Sequence, residues 1–445
     1  MFLKAGMSYE DVFMRKGLMR FLLSVRERRL VRISQKTMVS VFPFVLLATI
    51  TAIFSEAFFD RGGYINILFK ISDSLPYFKY IGRVVSNFSL LLGGLIAPVI
   101  CYFAAKYTAR SYKCTSGTAG MTAFIYSLIV NSRELFDTPI NDGALTRINL
   151  AINFNMFTAI CVGYIIGQIF RLTNPSDDEI VYENYVYRHR SIRPILITLT
   201  IAVIWNFIYF LGSKYNVFTT VESYIIGFFT IGTGLVQSII NTIIRSLSAW
   251  FGNSDSYYEI VSGSDTDAIA NLNAALTSKG TSTIPHLFSD TNLYSAYGAL
   301  AGIGATFALV VAVILKSSSD KNKKIAVRSV FPAMFNHGGP VMVGVPLALN
   351  IIYLVPFVIA PIVNVLIAAI LLYFNVIPPA VYPVPTGTPS ILYAFVGTAG
   401  SLRALAAAIL LFVIDVLIYI PFVKLDDHLH NVILNNEIGG ENDEK

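Results

Sequence analysis

The chain has 445 residues, of which 55% are hydrophobic and 13% charged, with a mean hydropathy of +0.63. Soluble domains carry about 25% charged residues, so this composition excludes a soluble enzyme and describes an all-α polytopic membrane protein. The net charge of +6 is concentrated at one end and points to a membrane surface; no nucleic-acid partner is expected.

Residues 1–36 form a basic N-terminal segment, with Lys4, Arg15, Lys16, Arg20, Arg26, Arg28, Arg29, Arg32 and Lys36 against three acidic side chains. An excess of cations before the first span places the N-terminus in the cytoplasm, and residues 8–33 suit an amphipathic helix on the anionic inner leaflet. The first apolar run, near 37–59, is too long for a signal-peptide core and lacks a small-residue cleavage site. Further spans are predicted at 86–107, 117–132, 151–171, 193–212, 222–250, 294–316, 341–374 and 404–424, and interruptions after Asn350 allow a tenth crossing. Basic clusters at 106–113, 171–193 and 316–328 mark cytoplasmic loops. The loop at 133–149 is poor in cations and faces outside.

Cys101 and Cys161 lie inside apolar spans, where cysteine acts as a small hydrophobe. Cys114 opens C-T-S-G-T-A-G, loosely like a phosphocysteine loop, but its position between two spans reads as a cytoplasmic turn into a helix. The three cysteines offer no disulfide framework and no zinc spacing, so neither metal nor cofactor is expected. In 294–316, Gly298 and Gly302 stand four apart and read as a close helix-packing stripe. The polar insert 253–293 is long for a plain connector and is placed to wall a solute cavity. The segment from Asn435, ending E-N-D-E-K, reads as an acidic, disordered part of a cytoplasmic tail over 425–445.

Residues 331–350 read F-P-A-M-F-N-H-G-G-P-V-M-V-G-V-P-L-A-L-N. Glycine and proline break the helix there, and backbone freed at membrane depth must be buried in protein or line a wet cavity. In transporters that is where small polar solutes bind. No nucleotide-binding glycine loop and no ring of like charge appears, which disfavours a primary pump and an ion channel.

Several blocks, in order, resemble the IIC permease of the phosphoenolpyruvate-dependent sugar phosphotransferase system, lactose/cellobiose/diacetylchitobiose branch. They are A-K-Y-T-A-R-S-Y-K-C-T-S-G-T-A-G (105–120), T-P-I-N-D-G (138–143), S-A-W-F-G (248–252), I-P-H (284–286), F-N-x-x-x-P-V-x-x-G-x-P-x-x-L-N (335–350), V-P-F-V-I-A-P-I-V-N (355–364), I-P-P-A-V-Y-P-V-P-x-x-T-P (377–389), G-x-x-R-A (400–404) and I-D-V-L-I-Y-I-P-F-V-K (414–424). The resemblance implies about ten transmembrane helices with two re-entrant hairpins, in an elevator-type fold. It further implies a scaffold and dimerisation half at 37–220, a substrate-carrying half at 221–424, and a homodimer in the bacterial plasma membrane with both termini cytoplasmic. Its partners would be a sugar, of oligosaccharide class, and IIA and IIB proteins in trans, since no phosphorylation-site domain is present here.

The departures fall on the sugar site. The family's F-N-I-N-E-P is F-N-H-G-G-P here, putting Gly338 and Gly339 in place of the pocket Asn and Glu. W-F-F-G-I-H-G becomes A-W-F-G-N-S-D, so Ser254 replaces a His, and Thr386 replaces an aromatic residue. A sugar hydroxyl attacking phosphocysteine needs a proton acceptor, which neither Gly339 nor Ser254 supplies. Two readings follow. In one, the pocket is remodelled: His337 is a displaced catalytic base, Asp255 a nearby acceptor, and Asn336, His337, Gly338, Gly339, Ser254, Asp255, Thr386 and Arg403 bind the solute. In the other, phosphoryl transfer is lost and the protein is an uncoupled carrier, sensor or accessory subunit; His337 is then a satisfied interior group and Arg403 a salt-bridge member.

Overall fold

A computed structural model of the protein describes residues 17, 21–131, 156–173, 192–217, 220, 234–252, 266–278, 284–300, 302–345, 347 and 350–443, with side chains described as far as residue 432. The described elements are helical. Seven helical segments among them are long and apolar enough to cross a membrane: Arg29–Phe59, Phe78–Ser111, Met156–Thr173, Ile192–Lys214, Thr291–Lys316, Ile351–Tyr373 and Leu402–Val432.

In the first half, α1 (Arg29–Ile53) runs into a π-helical turn at Phe54–Phe59. Two short helices, α2 (Tyr64–Phe69) and α3 (Ile71–Ser74), lead to α4 (Phe78–Ser111). Helices α5 (Ser116–Asn131), α6 (Met156–Thr173) and α7 (Ile192–Lys214) follow. Small residues let these helices touch: a Cβ on Gly163 would lie 2.6 Å from that of Ala104 and 2.7 Å from the Cys101 carbonyl oxygen. Close backbone approach is how helices associate in lipid, where no hydrophobic force drives them together. Met38, Val41 and Val45 of α1 join Cys101, Ala105, Ala123 and Ile160 in one buried cluster. Cys114 is buried at a turn just before α5, and that turn leads into a helix as the sequence reading expects.

The second half comprises α8 (Leu235–Trp250), α9 (Thr266–Ser278), a π-helix at Thr291–Gly298, a 3-10 turn at Ile303–Ala305, and α10 (Thr306–Lys316). After it come α11 (Asp320–Met334), the six-residue α12 (Gly339–Gly344), α13 (Ile351–Tyr373), α14 (Ser390–Gly397) and α15 (Leu402–Asp443). Short α12 lies against α1, with Val343 inside the first half's core and Val341 and Met342 inside the second's. That contact ties the two halves together.

Three expectations change. The 294–316 span is no continuous helix: Gly302 (φ +87°) and Gly304 (φ +69°) adopt left-handed backbone, and Ala305 (φ +54°) follows them. Gly298 does serve close packing, since a Cβ there would lie 2.8 Å from Val365, but Gly302 breaks the helix instead of extending a packing stripe. The expected acidic tail continues as helix, because α15 runs to Asp443 over 42 residues. At 1.5 Å per residue that is about 60 Å, twice a bilayer's hydrocarbon core. Its extension is anchored: Asp426 accepts from Arg26 at 3.0 Å, Asn350 at 3.3 Å and Tyr353 at 3.4 Å, and Asp427 accepts from Ser317 at 3.1 Å. Finally, the insert at 253–293 contains α9, whose buried Asn271 donates to the His286 carbonyl at 2.7 Å and accepts from its N–H at 2.9 Å. The described part of the insert is thereby fastened to the 284–292 turn.

Candidate functional site

The sequence island at 331–350 is broken as its glycines and prolines require. α11 ends at Met334, and the N–H groups of Phe335, Asn336 and His337 fold back onto the carbonyls of Pro332 and Ala333 at 3.0–3.2 Å. Asn336 takes a left-handed φ of +67°, a conformation asparagine tolerates better than most residues. Gly338 then stands at the N-cap of α12, with Pro340 in the helix's first turn, where a missing N–H costs nothing.

This break meets the one at Gly302–Ala305. A Cβ on Gly338 would lie 2.5 Å from Thr306 Oγ1, and one on Gly302 would lie 2.7 Å from the same atom and 3.5 Å from the Asn336 carbonyl oxygen. Both glycines therefore make room for one threonine hydroxyl between two interrupted helices. Gly339 differs: a Cβ there meets Val45 Cγ1 only at 3.4 Å, an ordinary contact on the side facing α1.

His337 projects toward the other half of the molecule. Its Nε2 lies 3.3 Å from Glu56 Oε2, on the π-helical turn after α1; the side chains are 28% and 50% exposed. Thr386 comes to the same turn from the loop between α13 and α14. Its hydroxyl donates to Asp60 Oδ2 at 3.0 Å and to the Glu56 carbonyl oxygen at 3.3 Å. Its backbone bridges residues 62–64: Tyr64 N–H donates to the Thr386 carbonyl at 2.8 Å, and Thr386 N–H donates to the Gly62 carbonyl at 3.2 Å. Gly387, at φ +65°, permits this approach, because a Cβ on it would lie 2.6 Å from that of Ala57. Beneath the polar groups, Ile53, Ala57 and Phe335 are buried together, with Phe58, Ile65 and Met334 packed against them. An apolar floor with a few placed polar groups is the usual make-up of a solute pocket.

Of the predicted site residues, His337 and Thr386 thus meet the Glu56–Asp60 turn and Gly339 faces α1, while Asn336 and Gly338 meet the break at Gly302–Thr306. Arg403 is exposed in the first turn of α15, so it is not the buried ion-pair member the alternative reading supposed. Ser254 and Asp255 lie outside the described residues. Glu56, Asp60 and Thr306 were not anticipated. Glu56 carried a usable signal, since a carboxylate in an otherwise apolar span is a functional candidate by default.

The model of the family "Phosphotransferase system, EIIC" matches residues 35–361. The chain belongs to that family. The match takes in Glu56, Thr306 and His337 and stops short of Thr386. Among curated relatives of this EIIC chain, the cellobiose-specific EIIC component of Lactococcus lactis subsp. lactis (strain IL1403) is 28% identical over 355 residues, covering 77% of this chain and 66% of the relative. The oligo-beta-mannoside-specific EIIC component of Bacillus subtilis (strain 168) is 22% identical over 398 residues, 82% of this chain and 86% of that one. The lactose-specific EIICB component of Staphylococcus aureus (strain N315) is 37% identical over 138 residues, 31% of this chain and 24% of the relative. The chain thus spans a little under two thirds of the cellobiose-specific relative and about a quarter of the lactose-specific one. Among solved structures, the transporter ChbC, the IIC component from the N,N'-diacetylchitobiose-specific phosphotransferase system, aligns with 94% of this chain and 98% of its own at 19% identity and a TM-score of 0.40.

Proposed function

We propose that this EIIC chain is the permease of a β-linked oligosaccharide phosphotransferase system and that its pocket retains phosphoryl-transfer chemistry through a relocated base. The carrying observation is the 3.3 Å approach of His337 Nε2 to Glu56 Oε2. An imidazole oriented by a carboxylate is the arrangement that accepts a hydroxyl proton most effectively near neutral pH. With Nε2–H directed at Glu56, Nδ1 is left to take the proton. The sugar hydroxyl oxygen then bonds to the phosphorus of a phosphocysteine on a IIB protein. The S–P bond breaks, the thiolate leaves, and Glu56 stabilises the imidazolium. Gly339 and Ser254 need no longer supply the acid/base group missing from the family pattern.

The names of the relatives, cellobiose, oligo-beta-mannoside and lactose, favour a β-linked disaccharide as cargo. Asn336, Thr386 and the glycine-lined backbone at 338–339 would hydrogen-bond it over the Phe335 floor. IIA and IIB proteins act in trans, and the chain works as a plasma-membrane homodimer whose second half moves against the first. The basic N-terminal segment supports a cytoplasmic N-terminus. The Arg26–Asp426 pair at 3.0 Å supports the same side for the extension of α15.

The test is uptake of radiolabelled cellobiose in cells with and without an intact phosphotransferase cascade. Sugar phosphate formed only with the cascade, and lost in His337→Ala, is expected. Saturable entry of unmodified sugar would refute the coupled reading in favour of an uncoupled carrier. Binding without entry would refute it in favour of a sensor.

A further inference from the structure

One carboxyl group in the membrane-spanning region plays no part in the site above. Asp415 on α15 is fully buried, as is Asn364 on α13. Asn364 Nδ2 donates to Asp415 Oδ2 at 2.9 Å. The remaining oxygen of each, Asp415 Oδ1 and Asn364 Oδ1, is buried without a hydrogen-bond partner. These are two unsatisfied acceptors on one pair of side chains, and no cation forms an ion pair with Asp415 among the described residues. Apolar clusters enclose the pair on both sides, one containing Leu411 and Val365, the other Val416, Tyr419 and Ala360.

A bare carboxylate held by a single amide N–H in such surroundings is costly, and each orphaned acceptor adds its own desolvation penalty. One added proton turns Asp415 from a pure acceptor into a donor and removes the charge. Four residues along the same face of α15, the Tyr419 hydroxyl donates to the Gly304 carbonyl in the helix break beside Thr306. The other titratable groups on elements packed against α15 are Tyr353 and Tyr373 of α13, Tyr393 of α14 and Lys316 at the end of α10. Only Tyr419 lies one turn from the carboxyl.

We infer that Asp415, paired with Asn364, is an intramembrane proton-binding site, linked through Tyr419 to the backbone break that borders the pocket. The proton sits on the carboxyl while α13 and α15 keep this packing, and it is released when the break at Gly304 rearranges. Linkage is reciprocal, so whatever shifts the break also shifts proton occupancy.

The first test needs no sugar. Infrared spectra of the full chain in lipid should show a protonated-carboxyl carbonyl band at about pH 6, where an ordinary aspartate is ionised, and that band should be absent in Asp415→Asn. If that variant fails to fold, ¹³C-aspartate labelling of the wild-type chain should shift the same band. Absence of the band, or a thermal stability that depends on sodium against choline at equal ionic strength, overturns the proton site. The second test uses cellobiose as probe and therefore rests on the saccharide reading. Its addition in weak buffer should move up to about one proton per chain, and none in Asp415→Asn or Tyr419→Phe. Cellobiose binding with no proton movement overturns the linkage. If cellobiose gives no thermal shift at all, the saccharide reading fails, while the infrared result still decides the proton site.

Discussion

Gly338→Ala adds one methyl group where two broken helices meet, and the structure fixes what that methyl would strike. Its carbon would lie 2.5 Å from Thr306 Oγ1 and 2.9 Å from both Cβ and Cγ2 of the same residue. Gly338 has ordinary φ and ψ of −76° and −8°, so alanine suffers no backbone strain and the entire penalty is steric. Overpacking of this kind costs about 1–3 kcal/mol. The neighbouring Gly339→Ala is an internal control: its Cβ has 3.4 Å to Val45, so its effect should stay within about 0.5 kcal/mol. Thr306→Ala removes the two outer atoms of the clash, and combined with Gly338→Ala it should recover part of the loss, giving a coupling energy of at least about 0.5 kcal/mol in a double-mutant cycle. Thermal unfolding of the four variants in detergent reads the result. If Gly338→Ala were as stable as wild type, or if the two losses simply added, the proposed meeting of the breaks at Thr306 would be wrong.

His337→Ala should lower phosphorylated-sugar formation by about 10²–10⁴-fold, the usual contribution of a general base, as measured by product formation in membrane vesicles supplied with the cascade. Glu56→Gln should reduce kcat while leaving KM nearly unchanged, because it disturbs the base more than binding; an effect on KM alone would count against an orienting role. Tyr112, just beyond the end of α4, has its phenol pushed down to about 8 by the Gln168 side-chain hydrogen bond, assisted by Arg29 and Arg171. A folded value below the unfolded one means stability rises with pH from about 8 up to the unfolded tyrosine value near 10, and it is lost as pH falls through 8. Ultraviolet difference spectra should show one phenolate forming near pH 8, absent in Tyr112→Phe. Asp426→Ala removes the acceptor shared by Arg26, Asn350 and the Tyr353 hydroxyl and should cost about 1–3 kcal/mol, as leaving buried donors unsatisfied does, visible in thermal unfolding.

The break at 335–338 was legible because glycine, asparagine and proline leave an apolar segment few ways to remain helical. The break at Gly302–Ala305 was not, since Y-G-A-L-A-G-I-G-A fits a small-residue packing stripe equally well and only φ distinguishes the two. His337 was legible as an ionisable group in a break. Its partner was hidden by distance: Glu56 stands about 280 positions earlier in the chain, and no periodicity links a π-helical turn in one half to a helix break in the other. Thr386 looked like a lost aromatic platform, whereas its hydroxyl and backbone clasp the Glu56–Tyr64 segment. The helical extension of α15 was missed because charge composition reports solvation and says nothing of the tertiary anchors at Asp426 and Asp427.

The imidazole and its carboxylate sit on opposite halves of the molecule, and that division has a directional consequence. Should the halves slide past each other during transport, the base would be complete in one register and dismantled in the other. Cargo could be chemically trapped at one membrane face alone, and the reverse stroke would carry an incompetent pocket. Vectorial uptake would then need no separate gate: the geometry of assembly would itself serve as the ratchet.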